Sequence, residues 1–125
     1  ETNFMLNNYS PIVFSHYRSP RNFGKLKKTT QSAEELNPLC GDEVKVYLRI
    51  SHGAINNISH ETRGCALTVA AASVLTERIM NREIRITDLK KIDKPEIEKM
   101  LGIKVGPARE SCITLALKAI KKIII

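Results

Sequence analysis

The hydrophobic period of this chain changes once, sharply, and that change limits the folds open to it. Over residues 44–50, VKVYLRI, apolar and polar side chains alternate, which places Val44, Val46, Leu48 and Ile50 on one face of a strand. SHG at 51–53 reads as a tight turn. A second strand follows over roughly 54–62, with Ile55 and Ile58 one bulge out of strict alternation. Two adjacent strands joined by so short a turn make an antiparallel hairpin. RGCALTVAAASVLTERIMNRE then repeats at three and four. Leu67, Ala70, Ala71, Val74, Leu75 and Ile79 predict an amphipathic helix, alanine-rich in its first half and so able to lie close to a sheet.

The flanking segments add helices to this unit. Residues 9–18, YSPIVFSHYR, suit a short helix with Ser10 as N-cap, Pro11 in its first turn, and Ile12, Val13, Phe14 and Tyr17 on its apolar face. SPRNFG at 19–24 is turn chemistry, and 25–37 are polar, with at most a weak strand before the loop NPLCGD. Residues 84–101 predict two shorter helical pieces, capped at Thr87 or Asp93, with Pro95 at a helix start. After a break at LGIKVGP, residues 108–123 predict a last helix with Ile113, Leu117 and Ile120 inward. Lysines near its C-terminal end suit the helix dipole. No repeat or composition shift divides the 125 residues, so one domain over 1–125 is expected, long enough to bury a core without disulfide staples.

Composition excludes several classes. With 42% hydrophobic and 26% charged residues the chain is ordinary for a globular protein and not wholesale disordered. Its net charge of +7 is spread as short pairs, Lys27–Lys28, Lys90–Lys91 and Lys121–Lys122, among scattered acids. No nucleic-acid motif or stacking set accompanies them, which favours a solvated basic surface, then an acidic protein partner, over nucleic acid. No apolar run reaches the roughly 18 residues of a membrane span, and no basic region precedes an apolar one as in a secretory signal. No membrane contact and a cytoplasmic location are therefore expected. The chain opens on Glu1, which leaves Met5 a candidate start and removal of earlier residues an alternative.

Three cysteines is an odd count for a chain without an export signal, which argues against a disulfide framework. Singly, each would be read as a small buried hydrophobe. Together they share a placing. Cys40 lies in a loop before a strand, Cys65 between a strand and a helix N-terminus, and Cys112 in the first turn of the last helix. Loop and helix-N-terminal sites favour thiolate, the form that binds metal or attacks sulfur. Asp42 stands two residues from Cys40 across Gly41 and can face the same pocket. Three thiolates and a carboxylate make four ligands, which matches tetrahedral zinc; thiolates equally suit iron–sulfur clusters. The residues alone leave both occupants open.

HYRSPRNFG at 16–24, NPLCGD at 37–42, RGCALTVAAASVLTE at 63–77 and GPARESC at 106–112 occur in order, and the chain resembles the NifU N-terminal/IscU/SufU family of iron–sulfur cluster scaffolds from about residue 9 to 122. That resemblance implies an α+β fold, a small antiparallel sheet of about three strands with helices packed on one face and the cysteines gathered at one end. It implies that Cys40, Asp42, Cys65 and Cys112 hold a [2Fe–2S] cluster or iron, with zinc the alternative occupant. A pyridoxal-phosphate cysteine desulfurase would supply sulfur, and apo iron–sulfur proteins would receive clusters. Any of the three cysteines is a candidate persulfide acceptor, and the helix with the SPRN turn resembles the region that docks the desulfurase. The function it implies first is a cluster scaffold; a zinc-dependent sulfur acceptor is the alternative, a sulfurtransferase role if the SufU likeness holds. A basic binding module whose cysteines only pack is the rival from another class.

Two positions depart from the IscU branch. Ser111 stands where that branch has a histidine before the last cysteine, so Asp42 is expected as fourth ligand. Ile103-Lys104-Val105-Gly106-Pro107 replaces the Leu-Pro-Pro-Val-Lys motif read by a dedicated Hsp70-type chaperone, which argues against that partner. The Pro-Ala-Arg at 107–109 looks more like the SufU branch, although the segment between Cys65 and Cys112 is shorter than that branch usually has. Arg109 could stabilise a thiolate or persulfide at Cys112 by charge. His16, His52 and His60 are expected to pack or face solvent.

Overall fold

A computed structural model describes residues 10–124; the expected helix start at residue 9 and the candidate start Met5 lie outside them. The elements in chain order are α1 (Pro11–Arg18), β1 (Gln31–Asn37), β2 (Asp42–Ser51), β3 (Ala54–Arg63), α2 (Ala66–Met80), α3 (Ile86–Leu89), α4 (Lys94–Leu101) and α5 (Pro107–Ile124). The strands form one antiparallel sheet in the order β1-β2-β3, as expected for this α+β class. His52 and Gly53 join β2 to β3 with positive φ at both positions, a two-residue turn whose twist matches the strands. The expected bulge lies where Arg49 pairs Asn57 but Ile50 pairs Ile55.

One face of the sheet makes the core. Val44, Val46 and Leu48 on β2 stand opposite Thr62, His60 and Ile58 on β3, and all six are buried. Against them pack α2 and α5, with Leu67, Ala70, Ala71, Val74 and Leu75 from one and Ile113, Leu117 and Ile120 from the other. The outer edge of β3 is met by the chain itself. Gly24 N–H donates to His60 O and His60 N–H to Asn22 O, each at 2.9 Å, so the edge is covered at His60.

Three expectations need correcting. First, α1 buries Val13 and His16, while Ile12, Phe14 and Tyr17 are each at least 40% exposed. Its inward stripe is set by packing on α2, where His16 Nδ1 meets Ser73 Oγ at 2.7 Å, and not by the count of apolar residues. Second, α2 is more than amphipathic: Thr68, Val69, Ala72, Ser73 and Thr76 are buried as well, because α1, α5 and the sheet enclose it. Third, Thr87 lies inside α3, whose N-cap is Arg85. Ser10 and Asp93 do cap as expected. Asp93 forms a capping box with Glu96, Pro95 sits in the first turn of α4, and Gly102 ends that helix at φ 70°. No helix among the described residues is long and apolar enough to cross a membrane.

Candidate metal and sulfur site

Alternation along β2 decides where Asp42 points. It is two residues before Val44, so the first residue of the strand faces the helices and is buried, its carboxylate at the end of the core. Cys40 reaches the same place from the β1–β2 loop, which Gly41 turns with φ 76°. Cys65 is the N-cap residue of α2 and is exposed. Cys112 enters from α5 and is buried.

The carboxylate of Asp42 is the hub of this cluster. Its Oδ1 accepts the Cys65 backbone N–H at 3.2 Å, and its Oδ2 accepts the Thr68 hydroxyl at 2.5 Å. Cys65 Sγ lies 3.8 Å from Oδ2 and 3.3 Å from Thr68 Oγ1. Burial pushes the Asp42 pKa up, but hydrogen bonds from Thr68, the Cys40 thiol, the Cys65 N–H and the Cys112 thiol together outweigh it and hold the pKa below the ordinary value. All three thiols therefore meet one ionised carboxylate.

Cys112 behaves against expectation. Its pKa is pushed up to about 12, by burial first and then by the charge and hydrogen bond of Cys65, with Asp42 adding to the rise and Thr68 opposing it. A helix N-terminus would have favoured thiolate, but α5 begins at Pro107, so Cys112 lies beyond the first turn, where the dipole has faded. Without a cation beside it, this thiol keeps its proton.

The donor set fits a metal ion. Ligand atoms of Cys40, Asp42 and Cys112 all lie within 4.8 Å of one another. Tetrahedral zinc with bonds of 2.0–2.3 Å needs ligand-to-ligand edges of about 3.3–3.8 Å. The 3.8 Å between Cys65 Sγ and Asp42 Oδ2 already meets that, and the 4.8 Å limit on Cys40, Asp42 and Cys112 lies about 1 Å above it. Cys65 is not part of the mutually close trio; it joins through Asp42.

Among the remaining sequence-predicted residues, the three histidines fall outside this shell. Arg109 is in the exposed first turn of α5. His16 and His60 are buried, at Ser73 and at Thr62 and Arg21 O respectively, and His52 is exposed in the hairpin turn. Ser111 is bonded to Asn37, whose Nδ2 donates to Ser111 Oγ at 2.8 Å. Sequence reasoning missed Thr68, Asn37 and Gly64. Thr68 follows Cys65 by three, the spacing that stacks a helix cap over its first turn, and that signal could have found it. Gly64 leaves room for the carboxylate, since a Cβ there would stand 2.3 Å from Asp42 Oδ1.

The chain is similar to known proteins over most of its length. Residues 8–125 match the family model of the NifU-like N terminal domain. The zinc-dependent sulfurtransferase SufU of Bacillus subtilis is 29% identical, covering 91% of this chain and 87% of its own length. The iron–sulfur cluster assembly scaffold protein IscU 1 of Archaeoglobus fulgidus is 31% identical, covering 94% of this chain and 74% of its own length. The crystal structure of a nitrogen-fixing NifU-like protein (N-terminal) from Brucella abortus has the same fold, with a TM-score of 0.76 at 20% identity, covering 94% of this chain and 92% of its own.

Proposed function

The chain belongs to the NifU-like N-terminal domain family, which includes iron–sulfur cluster assembly scaffolds, and from that premise we propose that it accepts sulfur from a cysteine desulfurase at a single-ion zinc site made by Cys40, Asp42, Cys65 and Cys112. The observation that carries this reading is the mutual closeness of Cys40, Asp42 and Cys112, all within 4.8 Å. A two-iron cluster divides four terminal ligands between two metals and holds some of them apart, whereas a trio this tight suits one ion. This reverses the order taken from sequence, where the cluster scaffold came first.

In this role bound zinc would supply positive charge that keeps the thiols as thiolates near neutral pH. The protein's own groups do the rest. Asp42 gathers the thiols, Thr68 and the Cys65 N–H fix the carboxylate, and buried Cys112 anchors the site from α5. Cys40 and Cys65 are the exposed thiols, open to the desulfurase. A thiolate Sγ of one of them attacks the outer sulfur of the desulfurase persulfide; the new S–S bond forms as the desulfurase cysteine leaves as thiolate. Arg109, at the same end of α5, adds positive charge for that anion.

Assembly of a [2Fe–2S] cluster on the same four residues, and its transfer to apo-proteins, is the second reading. It is favoured by the carboxylate, a weaker iron ligand than thiolate and so suited to release. One experiment separates them. Metal analysis of the protein purified without added metal should give close to one zinc per chain, and desulfurase turnover should rise with the zinc-loaded protein and fall when zinc is removed. Stimulation that survives zinc removal would sink the zinc reading. Charge-transfer absorption and acid-labile sulfide after anaerobic reconstitution, lost in Cys65→Ser, would establish the scaffold instead.

A further inference from the structure

Asn37 ends β1 and Asp42 begins β2, and the two pair directly across the strands. The four residues between them, Pro38 to Gly41, carry Cys40, and all four are exposed, Leu39 at 94%. The loop buries no side chain of its own to hold it in place. Asn37 is itself buried, 6% exposed, and its carbonyl and both polar atoms of its side chain are engaged. Its backbone oxygen accepts Gly41 N–H at 2.8 Å and its Oδ1 accepts Leu39 N–H at 3.2 Å, one bond on each side of Cys40. Its Nδ2 donates to Ser111 Oγ at 2.8 Å, one residue before Cys112.

We propose that Asn37 is the positioning residue of the site, fastening the Cys40 loop to α5 through Ser111 and so setting Cys40 against Cys112. Ser111 then orients a ligand rather than being one. The physical reason is pre-ordering: a ligand on an unsupported loop must be immobilised when metal binds, and that cost lowers affinity unless the loop is already held. Outer partners of this kind typically change metal affinity by about 10–100-fold. The proposal rests on the metal-site reading above.

The test uses the full chain as parent, Ser111→Ala, Ser111→Thr, Asn37→Ala and the Asn37→Ala/Ser111→Ala double variant. In metal-free protein, the rate of Cys40–Cys112 disulfide formation under diamide, mapped by peptide mass, reports how well the loop is held. Zinc Kd is measured by competition with a chromophoric chelator. Ser111→Ala should slow the cross-link and raise the zinc Kd about tenfold, and Ser111→Thr, which keeps the hydroxyl, should restore both. The double variant should bind no more weakly than Asn37→Ala, because one bond cannot be lost twice. Parent values in Ser111→Ala, or losses that add in the double variant, would overturn the proposal. A parent that binds no zinc while Ser111→Ala still slows the cross-link would overturn the metal reading and uphold the tether.

Discussion

Gly64→Ala should damage the stability of this protein, through one identified contact. A Cβ at Gly64 would lie 2.3 Å from Asp42 Oδ1, 2.6 Å from its Cγ and 3.0 Å from its Cβ, and Gly64 has φ 156°. The carboxylate cannot turn away freely, since Oδ1 holds the Cys65 N–H and Oδ2 the Thr68 hydroxyl. Hydrogen bonds to a charged group contribute about 1.5–3 kcal/mol each. Backbone strain at such a position costs about 1–3 kcal/mol more. Partial relaxation makes these less than additive, so a loss of about 3 kcal/mol is expected. With a urea slope of about 1.5 kcal/mol/M, the unfolding midpoint of metal-free protein drops by roughly 2 M. Gly106→Ala is the control, with nothing within 4 Å of its added methyl. The decisive comparison is Gly64→Ala made in an Asp42→Ala background, where the carboxylate is gone and its share of the cost should disappear, leaving the backbone strain and the 3.0 Å approach to the residue 42 Cβ. An equal cost in both backgrounds would refute the carboxylate contact as its cause.

Two further outcomes follow from the same structure. In metal-free protein at pH 8, iodoacetamide should modify Cys40 and Cys65 first, with Cys112 slower by on the order of a thousandfold, because a pKa of about 12 and burial leave almost no thiolate there; equal labelling of all three would contradict the buried placing. Stability should also fall in mild acid. His60 is fully buried, its Nε2–H donating to Arg21 O at 3.0 Å, and burial lowers its pKa despite that bond; burial, Arg21 and Arg78 likewise lower His16 against the opposing charge of Glu77. The folded pKa lies below the unfolded 6.5, so the unfolded chain binds more protons in that window, and stability complete above about pH 6.5 declines as pH drops below it. Thermal melts between pH 7.5 and 5 should show this slope, and a His16→Gln/His60→Gln variant should flatten it; an unchanged slope would assign the acid sensitivity to other groups.

How much was legible depended on whether local pattern or tertiary packing decided each point. The hairpin, its bulge and α2 follow from period alone, and one more step back along the inward alternation of Leu48, Val46 and Val44 leads to Asp42 facing inward. Four residues that could share a site were therefore visible as residue types, while their distances were not. The inward stripe of α1 was not legible, because His16 is buried by Ser73 from another helix while the larger Phe14 and Tyr17 remain on the surface. The state of Cys112 was misread for a related reason. Its place in the helix depends on α5 starting at Pro107, and its burial depends on the sheet and α2 closing over it. Ser111 showed only as an absent histidine; its bond to Asn37 spans most of the chain and has no local signal.

Stability alone gives no reason to build this end of the core as it is. A buried ionised carboxylate costs free energy unless it is paired, and apolar residues of similar volume usually serve a core at least as well. Here the carboxylate is met by thiols, weak donors, and by one hydroxyl and one N–H. Burial raises the pKa of the Cys112 thiol and the carboxylate's charge adds to the rise, so the arrangement resists gathering more negative charge. A cation reverses the electrostatic terms together. It pairs the carboxylate, draws the protons off the thiols and turns their mutual repulsion into shared ligation. The groups that would otherwise be a defect are then the source of affinity. Affinity for the proposed cation would weaken in acid, since protons compete for the same sulfurs. The proposed cation would find its place prepared by the fold, with Gly64 giving Asp42 room and Thr68 giving it direction.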